Sequence, residues 1–140
     1  MNISPKNKEN CAYLTRLESD IKKALDNSGV SLDILWLVIE DFSDIYEERT
    51  EAFFILFREM LRRGHLKLQR DGEIIEHSPE EWEKIFRAVW PPAEVWWPKG
   101  EQYKETYVGE IDMSIWFITD DCPAYAVWVD PEDGSLYWAG

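Results

Sequence analysis

The sequence predicts an α+β fold in which N-terminal helices pack on a small antiparallel sheet with a C-terminal β-meander. Three observations predict it. Apolar residues recur at helical spacing in the first half, an Asp-Gly dipeptide sits between two short alternating runs at residues 66–75, and β-rich runs separated by turn residues fill the C-terminal quarter. The 140 residues suit one domain, organised as an N-terminal amphipathic helix (1–29), helices plus a short hairpin (30–90), an aromatic loop (91–112) and antiparallel strands (113–140).

Ser4-Pro5 supplies an N-cap and an N1 proline, and Cys11, Leu14, Leu17, Ile21, Ala24 and Leu25 then follow at helical spacing until Asn27-Ser28-Gly29 stops the pattern. Leu32 to Ile39 is almost wholly apolar. Periodicity cannot separate helix from strand there, but Ser31 and Asp33 favour a helix start. From Thr50 to Arg63, Phe53, Phe57, Met60 and Leu61 share one face, and Arg58, Arg62 and Arg63 suit the negative end of the helix dipole before Gly64. Phe54 and Ile55 fall off that stripe, which predicts a helix covered on more than one side.

Leu66 and Leu68 alternate with Lys67 and Gln69, and Asp71-Gly72 provides the positive φ angles of a tight hairpin turn before Ile74 and Ile75. Ser78-Pro79-Glu80-Glu81 combines N-cap, N1 proline and capping-box glutamate, opening a helix that turns Trp82, Ile85, Phe86 and Val89 inward until Pro91-Pro92. No period dominates from Pro91 to Asp112. Met113 to Thr119, Ala124 to Val129 and Ser135 to Trp138 read as strands, joined by Asp120-Asp121-Cys122-Pro123 and by Asp130-Pro131-Glu132-Asp133-Gly134. Both faces of these runs are apolar, so either helices and the aromatic loop cover the two sides or a partner completes one of them.

Charge is distributed unevenly. Residues 1–70 hold 11 Lys/Arg against 12 Asp/Glu, and residues 71–140 hold 4 against 16, so the local nets are −1 and −12. Such a field repels phosphate backbones and anionic headgroups, which argues against nucleic acid and membrane partners and for a basic protein. No apolar run reaches the roughly 18 residues of a spanning helix, and the first ten residues lack the apolar stretch of a secretory signal. Cytoplasmic location follows as the expectation, and the isolated Cys11 and Cys122 are expected as reduced, buried thiols.

Chemistry is sparse. His65 and His77 stand outside any metal-ligand spacing, no nucleophile elbow or phosphate loop occurs, and no cofactor, metal or catalytic residue is assigned. Trp96, Trp97, Glu101 and Glu105 could serve as carboxylates with aromatic platforms in a carbohydrate-active enzyme. With 28 acidic residues a suggestive pair arises by chance, and a solvated face explains it better. The aromatic rings of the loop serve equally well as a lid on the sheet or as binding anchors.

The segments Leu35-Trp36-Leu37, Glu51-Ala52-Phe53-Phe54, Leu61-Arg62-Arg63-Gly64-His65-Leu66-Lys67-Leu68, Ser78-Pro79-Glu80-Glu81, Trp116-Phe117, Cys122-Pro123-Ala124 and Val127-Trp128-Val129 carry a family pattern. Over about Val30 to Trp138 the chain resembles the bacterial family called domain of unknown function 596. That family has no established catalytic residues to carry over. Small acidic bacterial families of this kind often lie beside toxin genes of contact-dependent inhibition and other polymorphic-toxin systems, so the resemblance implies an immunity protein. Its partner would be a cognate toxin protein, basic in character, held by Trp96, Trp97, Tyr103 and Tyr107 as anchors and by Glu101, Glu105, Asp120, Asp121, Glu132 and Asp133 as acidic contacts. A carboxylate enzyme and a scaffold that self-associates as a homo-oligomer through its sheet face are the alternatives.

Overall fold

The computed structural model describes residues 12–27, 29–91 and 116–139. The described elements include the helices α1 (Leu17–Asp26), α2 (Asp33–Val38), α3 (Tyr46–Arg62) and α4 (Pro79–Ala88) and the strands β1 (Leu66–Arg70), β2 (Glu73–Ile74), β3 (Tyr125–Val129) and β4 (Leu136–Trp138). The strands form one antiparallel sheet in the order β2-β1-β3-β4. The fold is therefore α+β, and its C-terminal strands run up and down as a meander.

Helix α3 is the centre of the structure. Every residue from Ala52 to Phe57 is buried, as the off-stripe Phe54 and Ile55 predict. Phe53 meets the rings of Trp36, Phe54, Phe57, Trp90 and Phe117 at centroid distances of 5.0–6.3 Å. Trp90 in turn meets Trp36, Phe54, Trp116 and Phe117, and its indole N–H donates to Thr50 Oγ1 at 3.2 Å. This cluster joins α2, α3, the end of α4 and the turn at Trp116-Phe117. Aromatic pairs in such edge and tilted arrangements add about 0.5–1.5 kcal/mol each beyond their area burial.

Against the cluster lies one face of the sheet. Leu66 pairs with Trp128 and Leu68 with Ala126, so these four side chains share the face that enters the core. Trp128 also reaches across the molecule, its Nε1–H donating to the Val30 carbonyl at 2.6 Å. Asp71 (φ 55°) and Gly72 (φ 83°) both occupy the left-handed region, which fixes the β1–β2 hairpin as the Asp-Gly dipeptide predicts. Ser78 caps α4 by accepting from the Glu81 N–H at 3.1 Å, with Pro79 behind it.

Ion pairs clamp α4 to α3. Arg87 makes a two-pronged contact with Glu51 at 2.9 and 3.0 Å, donates to Glu83 at 2.6 Å and lies 4.3 Å over the Phe54 ring. Glu83 also accepts from Arg58. Its burial raises the carboxyl pKa, but the hydrogen bonds from the two guanidinium groups outweigh that and hold it below the usual range.

Four expectations need correction. Val89, expected to face inward from α4, is 49% exposed, because the helix ends at Ala88 and Val89 leaves it at φ −121°. Met113 to Thr119 reads as a strand, yet within it Trp116 to Thr119 form a helical turn, closed by Thr119 N–H on the Trp116 carbonyl at 3.1 Å, and Met113 to Ile115 lie outside the described residues. A strand would send Trp116 and Phe117 to opposite faces, whereas the turn places both rings in the aromatic cluster, at 1% and 0% exposure. The predicted first helix is also not continuous: α1 begins at Leu17, because Thr15 Oγ1 donates to the Ala12 carbonyl at 2.8 Å and Arg16 takes a non-ideal backbone conformation, φ −108° and ψ 0°. Its predicted start at Ser4-Pro5 lies outside the described residues. Finally, α3 starts a turn before Thr50. Ser43, two residues ahead of its N-cap Ile45, accepts the Ile45 N–H at 3.0 Å and donates to Glu48 at 2.6 Å, bonds that set the start of the helix ahead of Thr50.

Truncating the ring at the centre should be severe. Phe53→Ala is expected to lose about 3–5 kcal/mol in urea unfolding, whereas truncating the exposed Val89 should cost well under half of that. Equal losses at the two positions would contradict the central role of Phe53.

Candidate functional site

The residues expected to contact a partner divide into three groups. Trp96, Trp97, Glu101, Tyr103, Glu105 and Tyr107 lie outside the described residues. Asp120 and Asp121 are exposed in the loop that enters β3, and Glu132 and Asp133 are exposed in the turn that leaves it. The two acidic pairs therefore sit at opposite ends of β3, separated by five residues of strand, or about 16 Å at 3.3 Å per residue. They do not form one patch.

At the first end, Arg70 organises the loop. Its guanidinium donates to the Cys122 carbonyl at 2.7 Å and to the Tyr125 hydroxyl at 3.3 Å, and stacks 5.3 Å from the Tyr125 ring. Asp71, at the hairpin turn, adds a further exposed carboxylate beside this loop. Cys122 is fully buried, its thiol donating to the Ala124 carbonyl at 3.2 Å, and burial pushes its pKa up to about 12.

At the second end, the side chains of the turn serve the turn itself. Asp130 Oδ1 accepts the N–H groups of Glu132 (2.7 Å) and Asp133 (3.4 Å). Asp133 accepts from the Ser135 hydroxyl at 2.7 Å and N–H at 2.9 Å, and these bonds hold its carboxyl pKa below the usual carboxylate value. The Glu132 carboxylate has no hydrogen bond or ion pair among the described residues, and Glu132 is exposed.

Strand β4 follows directly, and sequence reasoning selected none of its residues. Leu136, Tyr137 and Trp138 are 41%, 51% and 49% exposed. Register places Leu136 and Trp138 on the side of the sheet away from the helices, opposite Val129 and Val127, and Tyr137 on the helix side opposite Trp128. Leu136 and Trp138 thus leave two large apolar side chains exposed side by side on one face of an edge strand, with Tyr137 exposed on the other, a kind of surface that marks interaction sites. The run Leu136-Tyr137-Trp138 was legible as a strand, but an edge strand and a central strand have the same alternation. Only the pairing order exposes it.

Neither histidine joins a constellation. The His65 backbone bridges α3 and β3 through Met60 and Val129, its imidazole pKa being lowered by burial and by nearby Arg63, and His77 packs edge-on against Trp82 at 4.8 Å. Among the described residues there is no group of three or more His, Cys, Asp or Glu placed to hold a metal ion, and no helix long and apolar enough to cross a membrane.

Residues 61–139 match the family model described as a protein of unknown function, DUF596. The chain belongs to that family. A solved structure of an uncharacterized protein conserved in bacteria, from Neisseria meningitidis, aligns with a TM-score of 0.80 and 50% sequence identity, covering 94% of this chain and 92% of that one. No curated protein matches. The DUF596 match begins in the last turn of α3 and takes in the whole sheet, so β4 and both acidic turns fall within it.

The thiol gives a direct check of this geometry. In a Cys11→Ser background, Cys122 should resist a disulfide reagent at pH 8 in the folded protein and react at once in denaturant; rapid reaction in the fold would contradict its burial. Because the folded pKa is raised, the contribution of the neutral thiol to stability is complete below the ordinary value of about 8.5 and is lost as pH rises from there toward about 12.

Proposed function

We propose that this DUF596 protein acts by stoichiometric binding, as an immunity protein that neutralises a cognate basic toxin domain in the bacterial cytoplasm. The observation that carries the reading is the exposed aromatic strand β4 joined to the acidic turn Asp130–Asp133. Tyr and Trp are the residues most concentrated in interface hot spots, and carboxylates beside them favour a basic partner. The resemblance to small acidic families found beside toxin genes supports the specific biological role. Protection would follow from covering the active site or substrate surface of the toxin, with no turnover by the chain itself.

Electrostatics suits such a task. A net charge of −13 would speed capture of a basic protein at low salt, with association rates toward about 10⁸–10⁹ M⁻¹s⁻¹ in the strongest cases. Rim charges act mainly on that rate. Glu132→Lys should therefore slow association several-fold at low salt, lose its effect as salt rises, and shift stability by no more than about 0.5 kcal/mol. Stopped-flow measurement of binding and a urea titration check the two halves.

The decisive experiment is a pull-down with the product of the adjacent upstream gene, followed by a growth-protection assay. Complex formation and rescue of toxin-expressing cells are the expected results. A neighbour that is not toxic, or that forms no complex, would sink the proposal.

A further inference from the structure

Among the described residues no strand pairs with the outer side of β4. The Asp130 N–H donates to the Ser135 carbonyl at 2.8 Å, and the Ala139 N–H donates to the Ala126 carbonyl at 3.0 Å. With Tyr137 opposite Trp128, residues 135, 137 and 139 direct their peptide groups toward β3. Leu136 and Trp138 consequently direct theirs outward, and these two N–H and two C=O groups have no hydrogen-bond partner among the described residues. Unpaired edges of this sort are usually blunted by lysine, proline or a bulge. β4 has none of these, and only its shortness limits it.

We infer that the outer edge of β4 accepts an added strand from a partner protein, an extended segment in which apolar residues alternate with Lys or Arg. This rests on the reading of the surface as a protein-binding one and specifies how it binds. Main-chain hydrogen bonds at Leu136 and Trp138 would supply registration, and alternate side chains would supply selectivity. Charge decides the occupant. Residues 116–139 contain five carboxylates, Asp120, Asp121, Asp130, Glu132 and Asp133, and no Lys or Arg, so a second copy would set like charge beside like. A basic segment meets the opposite situation, with the Trp138 ring as a surface for its cationic side chains. At the C-terminal end of the strand an apolar pocket of about 130 Å³ opens between Leu32, Phe117, Ile118, Tyr125, Ala126 and Ala139, and takes an aliphatic side chain of the same segment.

The test uses the full chain, ¹⁵N-labelled, titrated with the capped peptide Lys-Val-Lys-Val-Lys-Val and, in parallel, with Glu-Val-Glu-Val-Glu-Val. The lysine peptide should slow amide exchange at Leu136 and Trp138 by about tenfold or more, leave the already bonded Tyr137 unchanged, and outperform the glutamate peptide. Leu136→Pro should abolish the effect, because proline removes an outward N–H without breaking the β3–β4 ladder, while Leu136→Ala should retain it. Unaltered exchange at Leu136 and Trp138, or equal protection by both peptides, overturns the inference. Protection of these amides in the peptide-free protein that grows with its concentration also overturns it, by assigning the edge to a second copy. Failure here is separable from failure of the immunity reading. An upstream-encoded toxin that binds wild type and Leu136→Pro equally leaves immunity standing and removes the edge, and docking of the lysine peptide without any toxin complex does the reverse.

Discussion

The packing of aromatic rings around Phe53 is the constraint on which the rest of the molecule depends. Phe53 and Trp90 together gather rings from α2, α3, the exit of α4 and the turn at Trp116-Phe117, elements that are remote in sequence. Once α3 is buried on several sides, the helix-facing side of the sheet has one place to dock, and Leu66, Leu68, Ala126 and Trp128 fill it. The long C-terminal return to the sheet then places β3 beside β1 and leaves β4 outermost. Exposure of the aromatic edge is thus a result of how the core is assembled.

The same arrangement sorts the charges. Arg58, Arg62, Arg63 and Arg87 are consumed in ion pairs on and around α3 and α4, with Glu83, Glu59, Glu80, Glu18 and Glu51. These exposed and half-buried pairs are individually worth little, and their larger effect is to neutralise these four arginines. The two ends of β3 receive no such compensation, since Asp120, Asp121 and Glu132 carry no ion pair among the described residues. The acidic surplus of residues 116–139 is therefore carried by these two ends.

Much of this was legible in the sequence where a local rule coincided with the tertiary demand. Asp71-Gly72 could hardly form anything but a tight hairpin, Ser78-Pro79 opens a helix by its own chemistry, and the dense apolar run at Ala52–Phe57 announced a buried helix. Legibility failed where local preference and tertiary demand diverged. Trp116, Phe117 and Ile118 have strand-forming side chains, but the core needed two consecutive rings on one side, which a strand cannot provide. The edge strand escaped for a different reason: exposure of Leu136, Tyr137 and Trp138 depends on which strand β3 pairs with next, and that order is absent from any local pattern. Likewise the acidic residues were readable as a surplus, while their division between two ends of one strand required the sheet.

The cluster also fixes both margins of the chain that connects α4 to β3. Trp90 and Trp116 stand 5.4 Å apart, and the Tyr46 hydroxyl donates to the Pro91 carbonyl at 2.7 Å where the chain leaves. A span whose two ends are held together by the core contributes to the free energy of folding mainly through the logarithm of its length, with each doubling costing about 0.6 kcal/mol. The ring contact of Trp90 with Trp116 therefore offsets a closure cost as well as filling the core, and a substitution at either ring disturbs both margins at once.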